Sequence, residues 1–255
     1  MLNFPVLLFL PSVLVLWLAA QFGASLRRQR PLKDEEREDF GAVQAATLTL
    51  LALIIGFSFS MAIARYDLRK NYEEAEANAI GTEYVRAGPL PPAGAAAVRS
   101  QLRKYVDLRI LFYRTRSSSE LQQINADTAQ LQNEMWSAVQ VPALAQPTPV
   151  MALAVSGMND VLNSQGYTQA AWWIRIPTSA WGLLVVTAVC CNVFVGYGAR
   201  ATGTTANMLV VLPVVDSISF LQIADIDSPR GGLIHVAPKI SQACTGRCTN
   251  DYAGR

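Results

Sequence analysis

The chain has 255 residues, 51% of them hydrophobic and 16% charged, with a formal net charge of +2. That composition excludes an intrinsically disordered chain and departs from an ordinary soluble globular protein. Lys and Arg are scattered and not interleaved with aromatics, so nucleic acid is not an expected partner.

The charges are missing from defined windows. Met1 to Leu26, Phe40 to Ala64 and Ile176 to Ala199 carry no charged side chain, and Ala201 to Ala224 carries only Asp216. A helix needs about 20 predominantly apolar residues to cross a bilayer core, and each window is long enough. The expected fold class is an all-α integral membrane protein with four transmembrane helices, at residues 3–24, 42–64, 178–198 and 205–223. A cleavable signal peptide is the alternative for residues 1–22. Against it, the basic cluster Arg27, Arg28 and Arg30 follows the apolar run instead of preceding it.

A helical soluble insertion separates the second and third spans. It holds 111 residues, Arg65 to Arg175, with 11 Lys or Arg and 10 Asp or Glu. The expected organisation is 1–64 (two spans and a short charged loop), 65–175 (insertion), 176–224 (two spans) and 225–255 (tail). Nothing breaks the helix between the second span and Arg86, so Gly41 to Arg86 reads as one helix of about 70 Å at 1.5 Å per residue. Gly88-Pro89-Leu90-Pro91-Pro92 then stops it. Leu102, Val106, Ile110 and Tyr113 form an apolar stripe on a helix over about 94–115. Ser117 and Glu120 have capping-box spacing, and Leu121, Ile124, Thr128, Leu131 and Met135 step by three and four along the next helix. Val141 to Pro149 holds three prolines and reads as a linker. Val150 to Trp173 reads as a further helix, and Trp172, Trp173, Arg175 and Trp181 sit where interfacial residues belong.

Orientation stays open from the residues. Arg27, Arg28, Arg30, Lys33 and Arg37 place the first loop in the cytoplasm and the insertion outside, whereas Arg65, Arg69 and Lys70 argue the reverse.

Catalytic signatures are missing. The one His, His235, has no nucleophile motif beside it, and phosphate-binding glycine loops, Glu-x-x-His pairs and CxxC are absent. No enzyme, cofactor or metal is expected. Cys190 and Cys191 fall inside a span, where Cys acts as a small apolar residue. Cys244 and Cys248 read as two thiols in a mobile tail.

Three groups of residues are candidates for function. Thr49, Leu53 and Phe57 stack at a spacing of four along the second span, with Gly56 beside them. That face either packs against another helix or lines a pore, where rings of apolar side chains gate by dewetting. Asp216 is an intramembrane charge, costly unless it faces protein or water. Pro213, three residues earlier, frees a backbone carbonyl near the same depth. Glu73, Glu76, Asn78 and Glu83 could offer a cation-binding face or pair with Arg and Lys of the 94–115 helix. Asp225, Asp227 and Arg230 read as an interfacial turn. A pairing of these residues with the Arg residues beyond the second span is not decided by spacing.

Leu53-Ile54-Ile55-Gly56-Phe57-Ser58-Phe59-Ser60-Met61-Ala62, Arg65-Tyr66-Asp67, the run Glu73 to Thr82, and Ala224 to Leu233 resemble the bacterial bestrophin-like membrane family of unknown function. Through Gly56, Phe57 and Leu53 the chain also resembles, more distantly, the bestrophin channels. Thr49 stands where those carry a larger apolar residue, and the tail 241–255 departs from the family pattern. The resemblance implies a homo-oligomeric, pentameric ion channel, mostly anion-selective. It also implies inorganic ions as partners, Thr49, Leu53, Gly56 and Phe57 at the pore, and the insertion and both termini in the cytoplasm. The expected location is the bacterial inner membrane, multi-pass. The rival reading is a membrane-anchored sensory or scaffold protein whose insertion binds a partner or ligand.

Overall fold

The computed structural model describes residues 6–31, 33, 35–199 and 209–234. Regular structure among them is helical throughout: α1 (Val6–Gln29), α2 (Glu36–Arg86), α3 (Pro92–Arg114), α4 (Ser118–Ala145), α5 (Pro149–Trp173), α6 (Thr178–Gly198) and α7 (Val211–Asp227). His235, Cys244, Cys248 and the 241–255 tail lie outside the described residues.

Three stretches are long and apolar enough to cross a membrane: Leu7–Gln29, Glu36–Arg86 and Pro149–Gly198, the last covering α5 and α6. The fourth predicted span differs. Its described part, α7, starts at Val211, ends at Asp227 and has 17 residues, just short of the about 20 that a bilayer core requires. α2 has 51 residues without a break, about 76 Å of helix at 1.5 Å per residue.

The described residues form two compact units, one from residues up to Arg65 and from Arg175 onward, the other from Tyr66 to Ile174. In the first unit, α1 packs on α6 at backbone distance. A Cβ at Gly196 would collide with the Ala20 carbonyl oxygen, and a Cβ at Gly23 with that of Val193. Small residues let membrane helices approach this closely, where dispersion and not water expulsion drives association. The Arg27 guanidinium donates to the carbonyls of Tyr197, Gly198 and Ala199 at 3.3, 2.6 and 2.6 Å. It thereby satisfies orphan acceptors where the α6 dipole favours a cation. Gly196→Ala is expected to cost about 1–3 kcal/mol by overpacking, seen as a lower unfolding temperature in detergent. Gly182→Ala, with open space around it, should not.

In the second unit, α3, α4 and α5 pack with the C-terminal part of α2 around Ile80, Val98, Leu102, Tyr105, Met135, Val139, Met158 and Val161. The capping box forms in part: Ser117 Oγ accepts from the Glu120 amide at 3.5 Å, while the Glu120 carboxylate takes the Thr115 hydroxyl.

The predicted linker over 141–149 is mostly helix. α4 runs through Pro142 to Ala145, and α5 starts at Pro149 behind the Thr148 cap. Pro149 at N1 sacrifices no hydrogen bond, whereas Pro142 forfeits its own N–H bond to the preceding turn, and α4 ends three residues later at Ala145. Trp172 is also placed differently from the sequence reading. It is buried against Phe112 and Tyr113, with ring centroids 5.4 and 5.5 Å away, whereas Trp173 is 73% exposed.

Candidate functional site

Three residue clusters collect the candidate groups, and each lies within one unit. The first is the bare face of α2. Leu53 is 53% and Phe57 62% exposed, Thr49 is exposed, and nothing lies within 4 Å of a Cβ built on Gly56. The Thr49 hydroxyl donates to its own helix at the Ala45 carbonyl, 2.9 Å away, which hides its polarity. Among the described residues, this face is left mostly uncovered.

The second cluster surrounds Asp216, which lies inside α7 and is 2% exposed. Asn192 of α6 donates from Nδ2 to Asp216 Oδ2 at 3.0 Å and to the Ala188 carbonyl at 2.9 Å. The carboxyl thus meets a polar partner inside an apolar helix pair. Asp225 and Asp227 belong to the last turn of α7, not to a turn after it. Asp225 accepts from the amides of Leu233 and Ile234 at 2.7 and 2.9 Å, and Asp227 from that of Ile176 at 3.1 and 3.2 Å. Arg65 Nη1 stands 3.6 Å from Asp227, so one Arg beyond the second span does reach this end. Backbone donors spread over distant residues bind both carboxylates.

The third cluster is a row of buried charge along α2. Arg69, Glu73, Glu76, Ile80, Glu83 and Ala87 follow steps of four and three, and none is more than 1% exposed. Asn78 falls off this row and is exposed. Glu76 is paired from α3. Arg109 of α3 grips it with Nε and, at 3.2 Å, Nη2, and the Tyr113 hydroxyl donates at 3.0 Å. Burial works against the Arg109 charge and the Glu76 carboxylate outweighs it, so the guanidinium stays protonated. Burial and the same carboxylate push the Tyr105 and Tyr113 hydroxyls upward, keeping both as neutral donors. The Arg109 guanidinium also lies 4.2 Å from the Phe112 ring centroid, a cation–π contact that offsets part of its lost hydration.

Glu83, one heptad on from Glu76, is different. It is fully buried, yet neither carboxylate oxygen accepts a hydrogen bond. Gly157 of α5 lies against it so closely that a Cβ there would collide with Glu83 Oε2. Burial raises its pKa to about 8, with Arg86 pulling it down and Asp160 pushing it up. Arg86 Nη1 is 3.7 Å from Asp160 Oδ2.

No group of three or more His, Cys, Asp or Glu among the described residues could hold a metal ion. Two clefts open on the second unit. One, about 680 Å³, lies between α3 and α4 and is lined by Gly94, Gln101, Glu134 and Val141 among others. The other, about 780 Å³, lies between α4 and α5 and is lined by Trp136, Leu144, Met151 and Asn159 among others. Neither takes in a predicted site residue.

Arg109, Tyr113, Asn192 and the Gly157 notch were not singled out from the sequence as partners of particular acids. One signal was available: charges at four of the five a/d-type steps of α2 from Arg69 to Glu83, Ile80 being the exception. Hydropathy treats such a row as a wet face, and only the α3 and α5 partners make it dry.

These features define an all-helical protein with membrane-length helices and a charged, internally paired helical unit. No protein-family model and no curated protein matches the sequence. Among solved structures, the chain has the fold of bacterial bestrophin homologues. A variant of the Klebsiella pneumoniae bestrophin homologue superposes with a TM-score of 0.67 at 14% identity, over 97% of this chain and 99% of that one. A second variant matches at 0.67 and 15% identity, covering 98% of each chain. The Klebsiella pneumoniae homologue phased on zinc matches at 0.64 and 16% identity, again over 98% of both.

Proposed function

We propose that this chain is a subunit of a bestrophin-like ion channel in the bacterial inner membrane: a symmetric homo-oligomer, pentameric by resemblance, with four spans and residues 65–175 in water. In this reading α7 belongs to the fourth span, and α2 lines the path. The supporting observation is the uncovered face of α2. An aromatic as bare as Phe57, 62% exposed on a membrane-length helix, is covered by lipid or by copies of itself. Symmetric copies turn Thr49, Leu53 and Phe57 into stacked rings, and Gly56 leaves room for a neighbouring backbone. The fold likeness over the full length of both chains supports the same reading.

Ions pass such a constriction without chemistry. Apolar rings exclude strongly hydrated ions and admit weakly hydrated ones. Asp216 and the Glu76–Arg109 pair serve as fixed internal struts in this account. The test is the mass of the detergent-solubilised protein, with its detergent contribution subtracted, together with anion flux into proteoliposomes. An oligomer that conducts is expected; a monomer without flux overturns the proposal.

The rival, a membrane-anchored sensory or scaffold protein, draws on the two clefts of the second unit. Reporter fusions at Ser118 separate the two, because the channel reading requires that position in the cytoplasm.

A further inference from the structure

Buried carboxylates are normally either paired, like Glu76, or absent. Glu83 is neither. It is sealed from water, both of its oxygens lack a donor, and it rests on the bare backbone of Gly157. An ionised carboxylate is poorly tolerated there, while a neutral carboxyl carries little desolvation penalty. We propose that Glu83 is a proton-binding site that holds α5 on α2 while protonated and loosens that contact when it ionises.

The charged groups around it supply the second state. On its own helix, Arg86 points into the same notch, with its Nη1 2.9 Å from a Cβ built on Gly157. From α5, Asp160 engages Arg86 at 3.7 Å. The α3 cations of this stretch are committed elsewhere: Arg99 and Arg103 lie over the Tyr84 ring at 5.1 and 5.8 Å, and Arg109 is held by Glu76. The α4 acids Glu120, Asp127 and Glu134 are exposed. When Glu83 loses its proton to solvent, Arg86 is, among the described residues, the cation positioned to meet the new charge, and Asp160 must then release it. The exchange couples a protonation on α2 to an ion pair that reaches α5.

The sign follows from a folded-state pKa above the ordinary glutamate value. The stabilisation is complete below the unfolded value of 4.5 and is lost as pH rises through about 8. A protein whose α5 contact weakens over that range senses alkalinisation on the side that the second unit faces. The inference does not require the chain to conduct ions.

The experiment uses the full chain in detergent. Amide exchange of the α5 peptide around Gly157, corrected for intrinsic base catalysis, is followed across pH. Infrared spectra of wild type minus Glu83→Gln are recorded at the same points. Expected are a neutral carboxyl band at pH about 6, above the ordinary glutamate range, its loss through about 8, and a parallel severalfold rise in α5 exchange. Glu83→Gln should show neither change. Asp160→Asn frees Arg86 and should move both transitions to lower pH, which keeps the test usable if Glu83→Gln folds poorly. An absent neutral carboxyl band, or α5 exchange with the same pH dependence in wild type and Glu83→Gln, overturns the proposal. An absence of ion flux in proteoliposomes bears only on the channel reading.

Discussion

Arg109→Met is expected to destabilise the protein by about 3–5 kcal/mol, the usual cost of removing one partner from a buried ion pair. Arg109 and Glu76 are both fully buried. Without the guanidinium, Glu76 retains the Tyr113 hydroxyl at 3.0 Å and a weak contact from Tyr105 at 3.5 Å, too little to hold a charge away from water. The stacked contact with Phe112 disappears as well. Because a domain is stable by only about 5–15 kcal/mol, the unfolding temperature in detergent should fall steeply. The double variant Glu76→Gln with Arg109→Met should recover much of the loss, since it leaves no charge behind. If Arg109→Met melts no lower than a control at the exposed Arg116, the pair does not have the weight assigned to it.

Phe57→Ala should raise ion conductance severalfold in a reconstituted bilayer. Phe57 is 62% exposed among the described residues, so most of its ring is unpacked. Truncation therefore costs the subunit little packing and acts on whatever ring its copies make. Leu53→Ala, one turn away, should act in the same direction and less strongly, since less side-chain volume is removed. Unchanged conductance in both variants, in protein that still conducts, would put the constriction elsewhere and leave α2 as a lipid-facing helix.

The two expectations were legible to different degrees. The stacking of Thr49, Leu53 and Phe57 follows from a spacing of four on one helix, and their exposure agrees with a face that the chain leaves unfilled. The Glu76–Arg109 pair was half legible: Glu76 and Glu83 share a face by their spacing of seven, and α3 is rich in basic residues. Which Arg meets which Glu depends on the crossing of two helices 33 residues apart in sequence, and no local pattern carries that. Asn78, grouped with the glutamates as a polar neighbour, falls on the other side because it is two residues from Glu76, about 200° around the helix. The linker expected at 141–149 is mostly helix because the cost of a proline depends on its place: Pro149 at N1 gives up no hydrogen bond, and the one that Pro142 gives up lies three residues before α4 ends.

Charge-free windows of membrane length, the unbroken course of α2 past its apolar part, and the helices of the charged insertion all follow from the sequence itself. They depend on hydropathy and on the 3.6-residue period, which are local properties. Tertiary structure alone decided that the charged row of α2 is dry, that Asp225 and Asp227 are bound by amides of distant segments, and that Glu83 is sealed against Gly157 without a donor. Those outcomes depend on what arrives from elsewhere in the chain. A carboxylate in water and a carboxylate under a neighbouring helix look identical in sequence, and only the neighbour determines whether it is paired, neutral or unable to stay.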